Sequence, residues 1–285
     1  MESRVMIYFA YDGSLNGDWI SWYAIRMASR SPRKELVLVH VLDGKIPEDQ
    51  LKVKIQALEA KCRTHQVQLI SKIRSLVNRN VFQSLIRWIP EGKETICVCG
   101  TRVRSRRKGY LSGTISARLL RYHKFNVIAL RVAQPGILGN AKNFLLPLAG
   151  HPRKLKSLSP FFRLFSPNIQ EIYLLRIMAV SAFRFRHLSS KQRQILLRMG
   201  RSYLNEAAAE IAQELASPSF YLDTRVIVSD DWPREILMHA NHLKVHMILL
   251  GASERTLPAR FLYYENALER ILTRTPCDVG IYRSL

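Results

Sequence analysis

Short apolar runs alternate with helical patterns along this chain, and the whole alternation occurs twice. Val5 to Tyr11 is an almost unbroken apolar run. Asp12-Gly13-Ser14 ends it, and Ser14 or Asn16 supplies a cap for a helix with Trp19, Ile20, Trp22, Tyr23 and Met27 at helical spacing. Leu36 to Leu42 is again apolar throughout, as a strand covered on both faces should be. Leu51, Ile55, Leu58 and Cys62 then recur at spacings of three and four behind Pro47. A short edge-like strand over Val67–Ser71 follows, with a helix over Phe82–Ile89, a strand over Thr95–Cys99, a helix over Thr114–Tyr122 and a strand over Val127–Val132. Parallel strands need crossover connections, and helices are the usual ones. The pattern predicts a doubly wound α/β domain.

Residues 134–142 contain Pro135, Gly136, Gly139 and Asn140 and read as a linker. The alternation then restarts. Strands are expected over Phe144–Leu148, Ile172–Val180, Val226–Val228, His246–Leu250 and Val279–Tyr282, and helices over Gln192–Leu215, Pro233–Leu243 and Glu265–Leu272. Local detail repeats as well. Cys97-Val98-Cys99-Gly100-Thr101 aligns with Ile248-Leu249-Leu250-Gly251-Ala252, and Phe125 to Arg131 aligns with Pro276 to Arg283. A repeat of about 140 residues is too long for a solenoid unit, which leaves a duplicated domain. The expectation is two five-stranded, mainly parallel domains, 1–133 and 143–285, in a pseudo-dimeric tandem.

With 47% hydrophobic and 23% charged residues, the chain is ordinary globular material and not globally disordered. Its balance of charge is less ordinary. Lys and Arg number 44 against 22 Asp and Glu, a formal net charge of +22. Such a field favours anionic partners such as nucleotides, nucleic acid or acidic lipid, and it also serves solubility. Cys62, Cys97, Cys99 and Cys277 are too few and too unevenly spaced for a disulfide scaffold, and they lack the partners of a metal or redox site. They read as reduced, buried thiols of a cytosolic protein. No run approaches the roughly 18 apolar residues of a spanning helix, and no signal peptide is visible.

In open α/β sheets, ligands bind beyond the carboxyl ends of the strands, where the strand order reverses. In the first half that places Ala10 to Ser14, Val41 to Gly44 and the stretch from Gly100 together. The last reads Gly100-Thr101-Arg102-Val103, then nine residues, then Gly113-Thr114-Ile115. Free N–H groups at a helix N-terminus suit a phosphate, and glycine lets the backbone approach it closely. The loop Arg102 to Lys108 adds five cationic side chains, which suit phosphate by charge-assisted hydrogen bonds.

These residues resemble the nucleotide-binding branch of the universal stress protein family, in a tandem covering nearly the whole chain. That branch carries Gly-x2-Gly-x9-Gly-(Ser/Thr) after its fourth strand. Gly100, Gly113 and Thr114 match its spacing, and Val103 replaces its second glycine. The resemblance implies that Ala10, Asp12 and the Val41 backbone hold the adenine and ribose, and that Gly100, Thr101, Arg102, Gly113, Thr114 and Ile115 cradle the phosphates of ATP or ADP, with or without Mg2+. In the second half Gly251 is kept, but Glu254 and Tyr264-Glu265 replace the later motif positions, and Ala149-Gly150-His151 replaces the aspartate turn. A carboxylate repels phosphate. That half is expected to be a degenerate copy that pairs with the first, as family members pair in dimers, and a homodimer of whole chains is a further expectation.

Other clusters read as structural. His239, His242 and His246 lack a Cys or carboxylate to complete a metal site. Asp230-Asp231 before Trp232-Pro233 is a helix-cap pair. Ser14 and Ser112 have no local histidine for nucleophilic catalysis. Phe161, Phe162, Phe165, Phe183 and Phe185, interleaved with Arg163, Arg184 and Arg186, fit core packing with a cationic rim, or base stacking or a lipid surface. The sequence reading is therefore a cytosolic, non-enzymatic, stress-type regulatory protein with ATP or ADP in its first half. The alternative is a nucleotide-free interaction module whose basic surface binds an acidic protein, nucleic acid or the cytosolic face of a membrane protein.

Overall fold

The computed structural model describes residues 5–101, 114–148, 159–165, 168–215, 220–252 and 262–285. The chain divides into two compact units, one of Met1–Asn140 with Tyr282–Leu285 and the other of Ala141–Ile281. The fold is α/β, and the paired strands described below run parallel.

The first unit runs β1 (Met6–Ala10), α1 (Leu15–Ser29), β2 (Glu35–Leu42), α2 (Glu48–Thr64), β3 (Gln68–Ser75), α3 (Val81–Trp88), β4 (Gly92–Gly100), α4 (Ile115–Leu120) and β5 (Phe125–Arg131). Its strand order is β3-β2-β1-β4-β5. Ile7, Phe9, Leu36, Leu38, Ile96, Val98, Val127 and Ala129 are all buried, because β1, β2, β4 and β5 are covered on both faces. Burying each large apolar side chain stabilises by about 1.5–3 kcal/mol relative to leaving it in water. β3 is the edge strand, and its residues alternate between exposed and half-buried.

Where β4 meets β5 the register shifts between Gly92 and Ile96. Asn126, on β5, closes that irregularity. Its Nδ2 donates to the carbonyls of Lys93 (2.6 Å) and Thr95 (3.2 Å), and its Oδ1 accepts the N–H of Leu285 (2.9 Å). The segment read as a linker is seated on α1. Arg26 Nε donates to the Leu138 carbonyl at 2.8 Å. Gly139, at φ +68, lies so close that a Cβ would fall 2.7 Å from the backbone of Trp22 and Tyr23, which only glycine permits.

The second unit runs β6 (Asn143–Leu148), α5 (Ser159–Phe165), β7 (Glu171–Ala179), α6 (Ala182–Arg186), α7 (Ser190–Leu215), β8 (Tyr221–Ser229), α8 (Trp232–His242), β9 (Met247–Gly251), α9 (Leu262–Arg274) and β10 (Asp278–Arg283). Its order, β8-β7-β6-β9-β10, repeats that of the first unit strand for strand. Two helices were not anticipated. α5 carries Phe161, Phe162 and Phe165 into the core, and α6 is a single exposed turn-and-a-half before α7. The edge strands β3 and β8 are longer than their apolar patterns suggested, since their outward positions are polar.

Candidate functional site at the strand crossover of the first unit

In the first unit the strand order reverses at β1. β1 pairs with β2 on one side and β4 on the other, with Ala10 opposite both Val39 and Cys99. The carboxyl ends of three strands therefore lie side by side. Residues following them are the natural lining of a ligand crevice.

Each turn there is fixed by local bonds. Asp12 is exposed, and its Oδ1 accepts the N–H and the hydroxyl of Ser14 at 3.0 and 2.7 Å. Ser14 in turn caps α1, its Oγ accepting the N–H of Gly17 at 3.0 Å. Asn16, the other candidate cap, has a different job. It is buried, and its amide reaches 3.4 Å across to the carbonyl of Thr101, tying the start of α1 to the turn after β4. Gly100 allows this approach. A Cβ there would sit 2.7 Å from Ile20 Cδ1 and 3.1 Å from Asn16 Nδ2.

Behind the turns is a polar layer that sequence reading missed. His40 Nδ1 lies 2.8 Å from the Tyr11 carbonyl, which can only accept, so that nitrogen donates its N–H. Nε2 is buried and has no hydrogen-bond partner among the described residues. Tyr11 donates its hydroxyl to Asp18 at 2.5 Å, and Lys54 pairs with the other oxygen of Asp18 at 2.5 Å. Burial and then the bond to Asp18 raise the Tyr11 phenol well above its ordinary value, so it stays a neutral donor. Asn16, His40, Tyr11 and Asp18 stand within the first helix or at strand ends. The signal available for them was a polar residue in an otherwise apolar stretch.

Thr101 is the most informative residue of the edge. Its N–H donates to the Leu130 carbonyl at 2.9 Å, and its side chain is only 4% exposed. Yet its hydroxyl has no hydrogen-bond partner among the described residues. Buried hydroxyls are nearly always satisfied, because an orphan forfeits its bond to water.

Of the residues expected to bind nucleotide, the structure brings Ala10, Asp12, Val41, Gly100 and Thr101 to this one edge. Thr114 is the N-cap of α4 and not its first residue. Its Oγ1 accepts the Ala117 N–H at 3.1 Å and lies 2.9 Å from Ser116 Oγ. Ile115 opens the helix. Arg102, Val103, Ser112 and Gly113, with the basic loop to Lys108, lie outside the described residues. So do Ala149-Gly150-His151 and Glu254 of the second unit. Tyr264 and Glu265 fall within α9.

The remaining candidates resolve simply. All four cysteines are buried and free. Burial pushes the Cys99 thiol up to about 12 and those of Cys62 and Cys277 up to about 11. Among the described residues no group of three His, Cys, Asp or Glu could hold a metal ion. Burial lowers the His239 value, and His246 Nδ1 accepts the Lys142 N–H at 3.1 Å. Asp231 caps α8 through the Arg234 N–H at 3.2 Å and pairs with Arg270 at 2.8 Å. The phenylalanine cluster splits, with Phe161, Phe162 and Phe165 in the core and Phe183 and Phe185 in water. No helix among the described residues is long and apolar enough to cross a membrane.

Solved structures share this fold. A universal stress protein from Archaeoglobus fulgidus DSM 4304 is 12% identical, with a TM-score of 0.56 over 99% of this chain and 98% of its own. A putative universal stress protein from Pseudomonas aeruginosa UCBPP-PA14 is 13% identical, with a TM-score of 0.56 over 98% and 92%. The cytoplasmic domain of a prokaryotic cation chloride cotransporter is 9% identical, with a TM-score of 0.58 over 99% and 96%. At such identities the likeness is one of fold. No curated protein matches the chain. The model of the universal stress protein family matches residues 141–283. That match spans half of the sequence, and the chain belongs to the universal stress protein family.

Proposed function

We propose that this protein is a stress-type regulator whose first unit is a second family copy and binds ATP or ADP, with or without Mg2+, as a regulatory ligand. The observation that carries the reading is the buried, unpartnered hydroxyl of Thr101 at the strand crossover. A phosphate oxygen is a strong acceptor for such a donor. In this reading Asp12, after β1, and the Val41 backbone, near the end of β2, take the ribose and adenine. Thr114 caps α4 and Ile115 opens it, and the N-terminal end of a helix favours an anion. Arg102, Gly113 and the basic loop between them complete the phosphate cradle by sequence.

In this reading the second unit is a pairing copy with a plugged motif, and the nucleotide sets conformation or partner choice without chemical turnover. A cytosolic setting agrees with four unpaired thiols.

The test is ligand-dependent stability. Mg-ATP or ADP at a hundred times its dissociation constant should add about 2.7 kcal/mol to unfolding. No stabilisation by either nucleotide at millimolar concentration would remove the proposal. Gly113→Glu places a carboxylate in the cradle and should abolish the effect with the fold intact. Unchanged affinity in that variant would put the nucleotide elsewhere.

A further inference from the structure

From Ser181 to Ile195 every residue is exposed except Leu188, which is half-buried, so α6 and the first turns of α7 stand away from the core of the second unit. Their order is nevertheless locally fixed. Ser181 caps α6 through the Arg184 N–H. The turn into α7 is a reciprocal capping box, in which Ser189 Oγ accepts the Gln192 N–H at 3.2 Å and Gln192 Oε1 accepts the Ser189 N–H at 3.1 Å. The Phe183 ring packs on His187 with centroids 4.5 Å apart.

This preorganised element shows large apolar side chains to solvent. Phe183 is 76% exposed, Met199 59%, Ile195 47% and Phe185 38%. Ile195 and Met199 are four apart on α7 and share one face, with Lys191 one turn before them and Arg198 beside them. Between Ser181 and Arg201 there are six cations (Arg184, Arg186, Lys191, Arg193, Arg198 and Arg201) and no Asp or Glu. Gly200, Leu204 and Ala207 hold the opposite face of α7 in the core. Exposed aromatic groups on α6 and an exposed aliphatic pair on α7, in a stretch whose Lys and Arg meet no Asp or Glu, match an anionic bilayer surface, where apolar groups enter the acyl boundary and long cationic side chains reach the headgroups.

We propose that the α6–α7 element is a peripheral membrane-docking surface for anionic lipid. Charge complementarity selects the occupant's sign. The aliphatic Ile195 and Met199 select a fluid apolar phase over nucleic acid, which offers phosphates to the cations but nothing to bury these chains against.

The test is flotation of the full chain with vesicles at physiological ionic strength. The protein should float with phosphatidylcholine vesicles containing phosphatidylserine and not with phosphatidylcholine alone. A triple variant, Phe183→Ser with Ile195→Ser and Met199→Ser, should lose about tenfold in partitioning for each buried group removed. A charge variant, with Arg184, Arg186, Lys191 and Arg193 all changed to Gln, should lose about fivefold per cation, and its binding should respond less than the parent's to lowering the ionic strength. Since the native thiols are buried, Phe183→Cys can be labelled selectively with an environment-sensitive dye. Its emission should brighten and shift blue on anionic vesicles. Both variants are confined to exposed positions, so their melting temperatures should match the parent. Failure of the parent to float, parental flotation of both variants, a silent dye, or binding of duplex DNA or polyglutamate through these residues without binding vesicles would overturn the proposal. Each outcome is independent of whether the first unit binds nucleotide.

Discussion

Replacing Thr101 by Val should make the free protein more stable and the nucleotide response weaker. The two side chains have nearly the same shape, and the site is 4% exposed, so packing changes little. The backbone bonds also survive, since the Thr101 N–H still meets Leu130 and its carbonyl still meets Asn16. What changes is a buried hydroxyl with no partner. An orphaned buried polar group costs about 1–3 kcal/mol, and valine removes that cost. A domain of this size shifts by about 2–4 °C per kcal/mol, so the gain should be about 2–12 °C in melting temperature. Thr101→Ser is the companion variant. It keeps the hydroxyl and loses one methyl, which costs about 0.8 kcal/mol or more, and it should keep the response to nucleotide. Urea and thermal melts of the three proteins with and without Mg-ATP separate the effects. If Thr101→Val loses more than about 1 kcal/mol without ligand, its hydroxyl is satisfied in solution and the reasoning fails. If it gains stability and its ATP response is undiminished, the hydroxyl is an orphan but not a ligand contact.

Asn126→Leu leaves the Lys93 and Thr95 carbonyls without their side-chain donor, while the Leu285 N–H can turn to water. Denaturant melts should show a loss of about 2–4 kcal/mol, and a loss under about 0.5 would mean that water takes the amide's place. The four buried thiols, three of them with values of about 11 to 12, should react with a thiol reagent at pH 8 only as fast as the chain unfolds. Stoichiometric labelling of the native protein within the mixing time would contradict their burial. The Asp231 carboxyl is held below its ordinary value by Arg270 foremost, against a smaller effect of burial, with the Arg234 N–H helping. A depressed carboxyl stabilises above its unfolded value, and the contribution is lost as pH falls through the folded one. Asp231→Asn should therefore melt below the parent at neutral pH, and the gap should close in acid. A gap that persists at pH 2 would show that the cap, and not the charge, is responsible.

How far the sequence could be read follows from where each residue's constraint comes from. The inner strands were legible because covering both faces of a parallel strand demands an apolar run, as in β2, where six successive residues from Leu36 to Val41 are buried. Edge strands carry no such demand. β8 extends from Tyr221 to Ser229 through Asp223, Thr224 and Arg225, and what defines it is nine residues of pairing with β7, which no local pattern reports. α5 was hidden for a related reason. Phe161, Phe162 and Phe165 could be seen as a cluster, but which of the five phenylalanines is buried depends on what covers them, and α5 and α6 differ only in that. The candidate site divides the same way. Gly100 and Asp12 show in the sequence because a close approach and a strand-ending turn need those residue types. Thr101 shows there only as a motif position and Asn16 only as a cap candidate, because an amide that crosses from α1 to the β4 turn and a hydroxyl left unpaired among the described residues exist only once two distant segments meet. Those two residues distinguish this crossover from a bare strand ending. The family model matches residues 141–283, which hold neither residue, so the family match and the crossover of the first unit are independent observations.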